Sequence, residues 1–512
     1  MDKQIWMGRI LIKQIRLNWI LILILSFAFS VRIFNLATNP PELFSDEITH
    51  VLSARTIIET GHDINGSVNL YLYNRLKLGA PIYGYLAAFS TYIFRDNNAA
   101  IRLPAVFAGT LTVYLIYKLS LLITKDKKAS LLTGLVTSVT PWNIYFSRIA
   151  WEPSLILPFI LSGVLFFYQA AGSQKIHKII MPYIVFAIAV YGADALEFLA
   201  PIFFFILVLL NFKKIWRNKY KHFFGLIVFT ILLIPYIFVV SRNPLKYGRS
   251  VKISTFATGV NIKNAEVFTK NYLAHMSPVF LFEKGDSNLR HGTGSDGVIY
   301  WATLPFIIIG ILYSVKNIKK GYCLFILLWL LIFPLGGSLT NDGVPHATRT
   351  LIGSPVFMIL FAIGFSSILK LLKEERLTLL LKILFVLTIF LEFASFAKNY
   401  FIIYPLKSQL WWNYGQKETL ETIKSISNGT ESLCLTNIEY WHQDTYTNYY
   451  LGVGNKYKII FDINDPACFS SEIIVVAPSV AVPSEYKLIK TVYSLERNPI
   501  SNIYKTTTGG AF

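Results

Sequence analysis

Asp46 and Glu47 stand side by side in the run Asn39-Pro-Pro-Glu-Leu-Phe-Ser-Asp-Glu-Ile-Thr-His50. Adjacent carboxylates can work as a general base with an orienting partner, or help to hold a divalent cation. The same run also reads as a cap, with Ser45-Asp46-Glu47 opening a helix at Ile48. The two readings are compatible, because a helix start fixes a carboxylate rigidly. Further on, Ser147-Arg-Ile-Ala-Trp-Glu-Pro153 spaces Arg148 and Glu152 four apart, which would let them pair across one helical turn. The glycine-rich run Phe282-Glu-Lys-Gly-Asp-Ser-Asn-Leu-Arg-His-Gly-Thr-Gly-Ser-Asp-Gly297 sets Arg290 and His291 where backbone amides could wrap a phosphate. A flexible turn is the plainer reading there, and the run lacks the Walker spacing. In Thr340-Asn-Asp-Gly-Val-Pro-His-Ala-Thr-Arg349, His346 and Arg349 lie three apart, and such an arginine also serves to anchor a helix at the headgroups. Asp194 and Glu197 read as solvated loop charges rather than as cavity-lining groups. There is no His-Glu-x-x-His, no Cys-x-x-Cys and no nucleophile elbow, so no residue is assigned as a metal ligand.

The elements that must position these residues follow from composition. The chain has 512 residues, 54% hydrophobic and only 15% charged. A soluble domain carries roughly 25% charged residues, so a soluble enzyme is argued against. Disorder is excluded by the abundance of large aliphatic and aromatic residues. A spanning helix needs about 20 apolar residues. Eleven runs qualify, near 17–36, 103–123, 130–147, 153–172, 179–196, 197–211, 223–241, 300–315, 321–339, 351–369 and 377–397. The fold expected is a polytopic α-helical membrane protein.

The net charge of +19 invites a nucleic-acid reading, and its distribution refutes it. Segments 1–16, 124–129, 173–178, 211–222, 316–320 and 370–376 carry 20 Lys/Arg against 4 Asp/Glu, leaving +16 on one face. By the positive-inside rule that face is cytoplasmic, with the N-terminus inside and the C-terminus outside. The opposite face holds loops 37–100 and 242–299 and a tail 400–512. The expected division is a membrane domain 1–399 that includes both loops, then a small outer α/β domain 400–512. In that tail 432–436, 457–462 and 472–477 read as strands and 414–426 as a helix. Cys434 and Cys468 both fall there, as a disulfide or as two free buried thiols.

The candidate carboxylates therefore sit outside, just beyond the first span. After them come Tyr73-Asn-Arg-Leu-Lys-Leu-Gly-Ala-Pro-Ile-Tyr-Gly-Tyr85 and Arg102-Leu-Pro-Ala-Val-Phe-Ala-Gly-Thr110, the latter opening the second span. With this succession the chain resembles the GT-C glycosyltransferases of family 39, which include protein O-mannosyltransferases and lipid A aminoarabinose transferases. The resemblance extends over about residues 15–400. It implies transfer of a monosaccharide from a polyprenyl-phosphate donor, at the outer face of a plasma membrane, to an acceptor protein, lipid or envelope glycan. It implies Asp46 as the base with Glu47 beside it, and Glu152 as a further acidic catalytic residue. It implies Lys77, with Arg75 close by, as the contact to the donor phosphate, joined by Arg148, Arg290, His346 and Arg349. One displacement would invert the anomeric centre, with the departing phosphate stabilised by fixed cations. No cofactor is implied beyond an optional divalent cation. The competing class is a transporter or a flippase of lipid-linked sugar. Transporters carry charges near the midplane and often inverted repeats, whereas here the charges lie at outer span ends and no repeat stands out.

Overall fold

A computed structural model describes residues 2–60, 81–95, 97–170, 173–192, 194–242, 252–372, 374–436, 443–452 and 456–507. The chain divides into two compact units, Met1–Phe34 with Arg102–Tyr400, and Asn35–Ile101 with Phe401–Phe512. Of loop 37–100, the described residues 37–60, 81–95 and 97–100 thus group with the C-terminal tail in one compact unit, whereas the sequence reading placed the loop in the membrane domain.

In the first unit every one of the eleven apolar runs carries helix. Among the described residues, six helices are long and apolar enough to cross a membrane, including Asn98–Thr124, Glu152–Ala170 and Gly353–Leu371. Shorter apolar helices, such as Asn18–Ile33, Ile176–Val190 and Glu197–Leu210, lie between them in the chain. The helix Gly353–Leu371 is buried along most of its length. It packs closest on Leu304–Lys316, where Gly310 lies against the Leu360 carbonyl and Gly364 against that of Phe306. Small residues at such a crossing let two backbones approach in the absence of a hydrophobic driving force. Helices Lys219–Arg242 and Glu375–Lys398 present most of their apolar side chains outward, as lipid-facing helices must.

Two of the apolar runs break. The run 130–147 forms Lys127–Val139, stops at Thr140, and restarts as Pro141–Phe146. Proline at the first position has no N–H to continue the preceding helix. The interrupted backbone is used elsewhere: Trp142 donates its N–H to the Val298 carbonyl and its indole N–H to the Ala347 carbonyl, at 2.9 Å for the latter. One helix break therefore ties down two loops that carry candidate residues.

The second unit has a five-stranded sheet in the order β2-β1-β3-β5-β4. The strands are β1 (Ser432–Leu435), β2 (Lys458–Ile460), β3 (Ile473–Val476), β4 (Tyr486–Tyr493) and β5 (Pro499–Thr506). β1 pairs parallel with β2 and β3, and β5 pairs antiparallel with β3 and β4. The three strands and the helix expected from sequence are all present, whereas the hairpin β4–β5 was not foreseen. β3 is Ile-Ile-Val-Val, buried at all four positions, as a central strand with both faces covered requires. Cys434 and Cys468 form a disulfide beneath this sheet. Helix Ser45–Thr60 packs on Pro81–Phe94 and on Gln443–Tyr450 within the same unit.

Candidate active site

Asp46 and Glu47 occupy the first turn of helix Ser45–Thr60. The helix starts at Ser45, three residues before the expected Ile48, so both carboxylates are inside it. Glu47 is buried and its Oε2 accepts the Phe44 N–H at 3.1 Å. That is the capping half of the sequence reading, performed by Glu47 reaching back to an orphan donor. Asp46, next to it, is exposed. The chain leading to the helix is held from several sides. The Leu43 carbonyl accepts the Tyr446 hydroxyl at 3.0 Å, and the Phe44 ring meets Trp412 edge-on. Inside the helix, buried His50 rests against Tyr83, whose hydroxyl donates to the Ile101 carbonyl. Asp46 thus projects from a rigid helix start, which is what a base with fixed geometry needs.

The same unit holds a group the sequence reading missed. Glu42 is buried, and burial pushes its carboxyl up to about 8 in spite of backbone donors from Gly415 and Lys417 and the Lys417 charge. Only its place in the quoted run Asn39–His50 hinted at it.

Lys77 and Arg75 lie outside the described residues. The remaining candidates belong to the membrane unit. Arg148 is fully buried between Phe146 and Glu152, in a stretch that is not helical. It and Glu152 do not share a helix: Pro153 favours a fresh helix start, and Glu152 opens Glu152–Ala170. The Arg148 guanidinium donates to the carbonyls of Val31 and Arg32, at 3.1 and 2.6 Å, and to the Tyr400 hydroxyl at 3.2 Å. Its bonds are those of a group joining the end of the first helix to the end of the last. Glu197 was expected in a solvated loop and is instead buried in the first turn of Asp194–Leu210.

The glycine-rich run is tied down rather than loose. Gly285 takes a φ of 65°, and an added Cβ there would press on the Asp296 carbonyl. The Leu289 carbonyl accepts the Tyr145 hydroxyl at 2.7 Å, and Thr293 donates to Asp296 at 2.6 Å. Asp286, at the start of the run, accepts the N–H groups of Asn288 and, from the second outer loop, Ala347, both at 2.9 Å. It also bonds His291 Nδ1 at 3.0 Å. His291 stacks on His346, ring centres 4.2 Å apart, and touches Trp151 of the Arg148–Glu152 stretch at 5.4 Å. His275 Nε2 accepts the His346 N–H at 2.9 Å. Arg290, His291, His346 and Arg349 are thereby brought into one neighbourhood. Asp286 and His275 complete it, and neither was singled out from sequence.

Electrostatics follow from this crowding. Burial holds His346 well below the usual histidine range, and the charges of His291, Arg349, His275 and Arg290 add to the effect. Burial likewise lowers His275. Arg349 donates to Thr340 Oγ1 at 2.6 Å and to Asp342 Oδ2 at 3.1 Å. Asp342 is half-exposed and restrains the guanidinium from the side of the loop.

Comparison with known proteins gives a consistent answer. Residues 79–238 match the family described as dolichyl-phosphate-mannose-protein mannosyltransferase. No curated protein matches the chain. Among solved structures, ArnT from Cupriavidus metallidurans bound to undecaprenyl phosphate is similar at a TM-score of 0.61 and 11% identity, covering 97% of this chain and 99% of the other. The same protein in its apo state matches at 0.55 and 10% identity, covering 95% and 97%. The apo oligosaccharyltransferase of Archaeoglobus fulgidus matches at 0.53 and 13% identity, covering 90% of this chain and 69% of that one. These are GT-C glycosyltransferases, and the resemblance drawn from Asp46, the proline-aromatic stretch and the Arg-Leu-Pro entry is borne out at the level of the fold.

Proposed function

We propose that this membrane protein, whose fold is that of the GT-C glycosyltransferases, moves a monosaccharide from a polyprenyl-phosphate donor to an acceptor on the outer face of a plasma membrane. The observation that carries the reading is the end-to-end likeness to a transferase whose structure holds undecaprenyl phosphate, at 97% of this chain. In support, Asp46 is exposed on a rigid helix start, and Arg290 and Arg349 sit on two interlocked outer loops. Asp46 removes a proton from the acceptor hydroxyl or amine as that atom attacks the anomeric carbon. The C–O bond to phosphate breaks with inversion, and the leaving phosphate keeps its electron pair, its charge matched by fixed cations, for which Lys77, Arg75, Arg290 and Arg349 are the candidates. Such electrostatic stabilisation makes a leaving-group acid unnecessary. Glu47 holds the helix start, and Arg148 and Glu152 frame the turn below His291. The acceptor is a protein, a lipid or an envelope glycan, and the sheet of the second unit is a candidate acceptor platform.

The test is a transfer assay with purified protein in detergent, offering radiolabelled polyprenyl-phosphate sugars and cell-envelope extract. Label passing to the extract with the wild-type chain and not with Asp46→Asn supports the reading. Saturable donor binding without transfer from any donor replaces it with a flippase or a binding protein.

A further inference from the structure

The segment Asn211-Phe-Lys-Lys-Ile-Trp-Arg-Asn-Lys-Tyr-Lys-His222 joins two apolar helices, Asp194–Leu210 and Lys219–Arg242. Only residues 211–218 lie between them, and Phe212–Arg217 is itself helical. So short a link keeps the segment at the headgroup layer. Loop 173–178 lies beside it. The Lys221 ammonium donates to the Gln174 carbonyl at 2.6 Å, and the Asn218 amide to that of Ser173 at 3.4 Å. Deeper in, the Tyr183 hydroxyl meets His222 Nδ1 at 2.9 Å, and Gly225 lies against the Tyr183 ring. The two segments are thus held as one surface. Between them, 173–178 and 211–222 carry seven Lys/Arg and no Asp/Glu. Among the described residues, none of the seven pairs with a carboxylate. Exposed rings stand between the cations. Trp216 is 61% and Tyr220 80% exposed, and the Lys219 ammonium lies over both, 5.3 and 5.2 Å from the ring centres.

We propose that this surface binds the phosphate headgroup of an anionic glycerophospholipid. Like charges drawn together without a counter-charge repel one another, and a lipid phosphate relieves that repulsion where they stand. Setting the orientation of the spans requires only an excess of Lys/Arg in the loops. It does not require two loops to be bonded side by side, as Lys221 and Asn218 bond them here. The rings select a lipid over a soluble acidic partner. Phe212, Trp216 and Phe223 are exposed beside the cations, as groups at the acyl boundary are, while lysine stems reach from there to the headgroups. Basic clusters directly at the ends of spanning helices attract anionic lipid in this way. The inference holds whichever reaction the chain performs.

The experiment uses the full chain in phosphatidylcholine vesicles containing a trace of spin-labelled phosphatidylglycerol or spin-labelled phosphatidylcholine. The motionally restricted fraction of each probe gives their relative association with the protein. The expected result is phosphatidylglycerol favoured by roughly fivefold or more, the worth of one surface Lys or Arg on an anionic membrane. High salt should lower the preference, since the cations are exposed. The combined variant Lys213→Gln/Lys214→Gln/Arg217→Gln/Lys219→Gln should bring it close to parity. All four side chains are exposed, so the Tm in detergent should match the wild type. Lys213→Gln/Lys214→Gln is the lighter change, used if the fourfold variant fails to fold, and should remove part of the preference. Lys263→Gln/Lys398→Gln, exposed on helices Ile262–Met276 and Glu375–Lys398, should keep all of it. Equal association of the two probes with the wild-type chain, which needs no variant, overturns the proposal and leaves the patch to a soluble acidic partner or to topology alone. A preference unchanged in the fourfold variant, or indifferent to salt, overturns it as well.

Discussion

Glu47 and Asp46 are consecutive in the chain and opposite in environment: Glu47 is buried with its carboxylate on the Phe44 N–H, and Asp46 is exposed one step along the same helical turn. Glu47 therefore holds the helix start, and the proposed function assigns the role of base to Asp46. Asp46→Asn should lower turnover by about 10²–10⁴, the range of a general base, with an unchanged Tm. Glu47→Gln should cost about 1 kcal/mol of stability, the worth of a cap, with a smaller loss of rate. Parallel thermal unfolding and single-turnover transfer measure both. If the two variants exchanged phenotypes, the assignment would be reversed.

The arginines divide in the same way. Arg148 spends its guanidinium on two carbonyls and a tyrosine hydroxyl, so Arg148→Ala should strand buried acceptors and lower stability by a few kcal/mol. Arg349→Ala and Arg290→Ala should instead raise the KM for donor by roughly 10- to 100-fold, the value of a charge-assisted bond to phosphate. Acceptor KM should hardly move. A donor KM that is normal in Arg349→Ala, measured against a titrated donor series, removes Arg349 from the phosphate site.

Much of this fold was legible because period and length dominate a membrane chain. All eleven apolar runs carry helix. The breaks were less legible: Thr140-Pro141 and Phe333-Pro334 interrupt runs whose hydropathy is continuous, and proline is the only signal. The grouping of Ser45–Thr60 and the chain leading into it with the tail was not legible at all, because it depends on contacts such as Tyr446 on Leu43, 403 residues apart. Within the site, Arg148 and Glu152 are four apart in sequence but do not share a helix, a break that only Pro153 signals. Asp286 and His346 could not be joined by any motif, since a pattern of residues reads along a loop and not across two.

The disulfide gives a prediction with a clear size. Cys434 and Cys468 close a loop of 34 residues in the second unit. Chain-entropy reasoning puts the stabilisation at about 3–4 kcal/mol for a loop of that length. Cys434→Ser or reduction with a phosphine should lower the unfolding temperature of the protein in detergent. Cys323, buried in helix Gly321–Ile332, should not respond to the reductant. A Tm indifferent to reduction would mean that the sheet is held by its apolar core alone. The bond also agrees with an outer location for this unit, since disulfides persist in oxidising compartments.

Orientation is open to direct chemistry. With Cys323 buried, single cysteines can be introduced as Gly66→Cys and Lys127→Cys and labelled on intact cells with an impermeant maleimide. Residue 66 should label and residue 127 should not, because the segment around 127 belongs to the basic face. The opposite pattern turns the molecule over and moves Asp46 to the cytoplasm.

Glu42 supplies the pH prediction. Its carboxyl titrates near about 8 in the folded protein because burial outweighs the Gly415 and Lys417 contacts, against about 4.3 in an unfolded chain. The folded state therefore holds a proton that the unfolded state has released, and stability falls as pH rises. The contribution is complete below about pH 4.3 and is lost as pH rises through about 8. Glu42→Gln keeps the neutral shape and cannot ionise. The Tm of the variant minus that of the wild type should accordingly grow from pH 5 to pH 8.5, and other titrating groups cancel in the difference. A gap that stays constant over that range would show that Glu42 is ionised in the folded protein at neutral pH, compensated by Lys417.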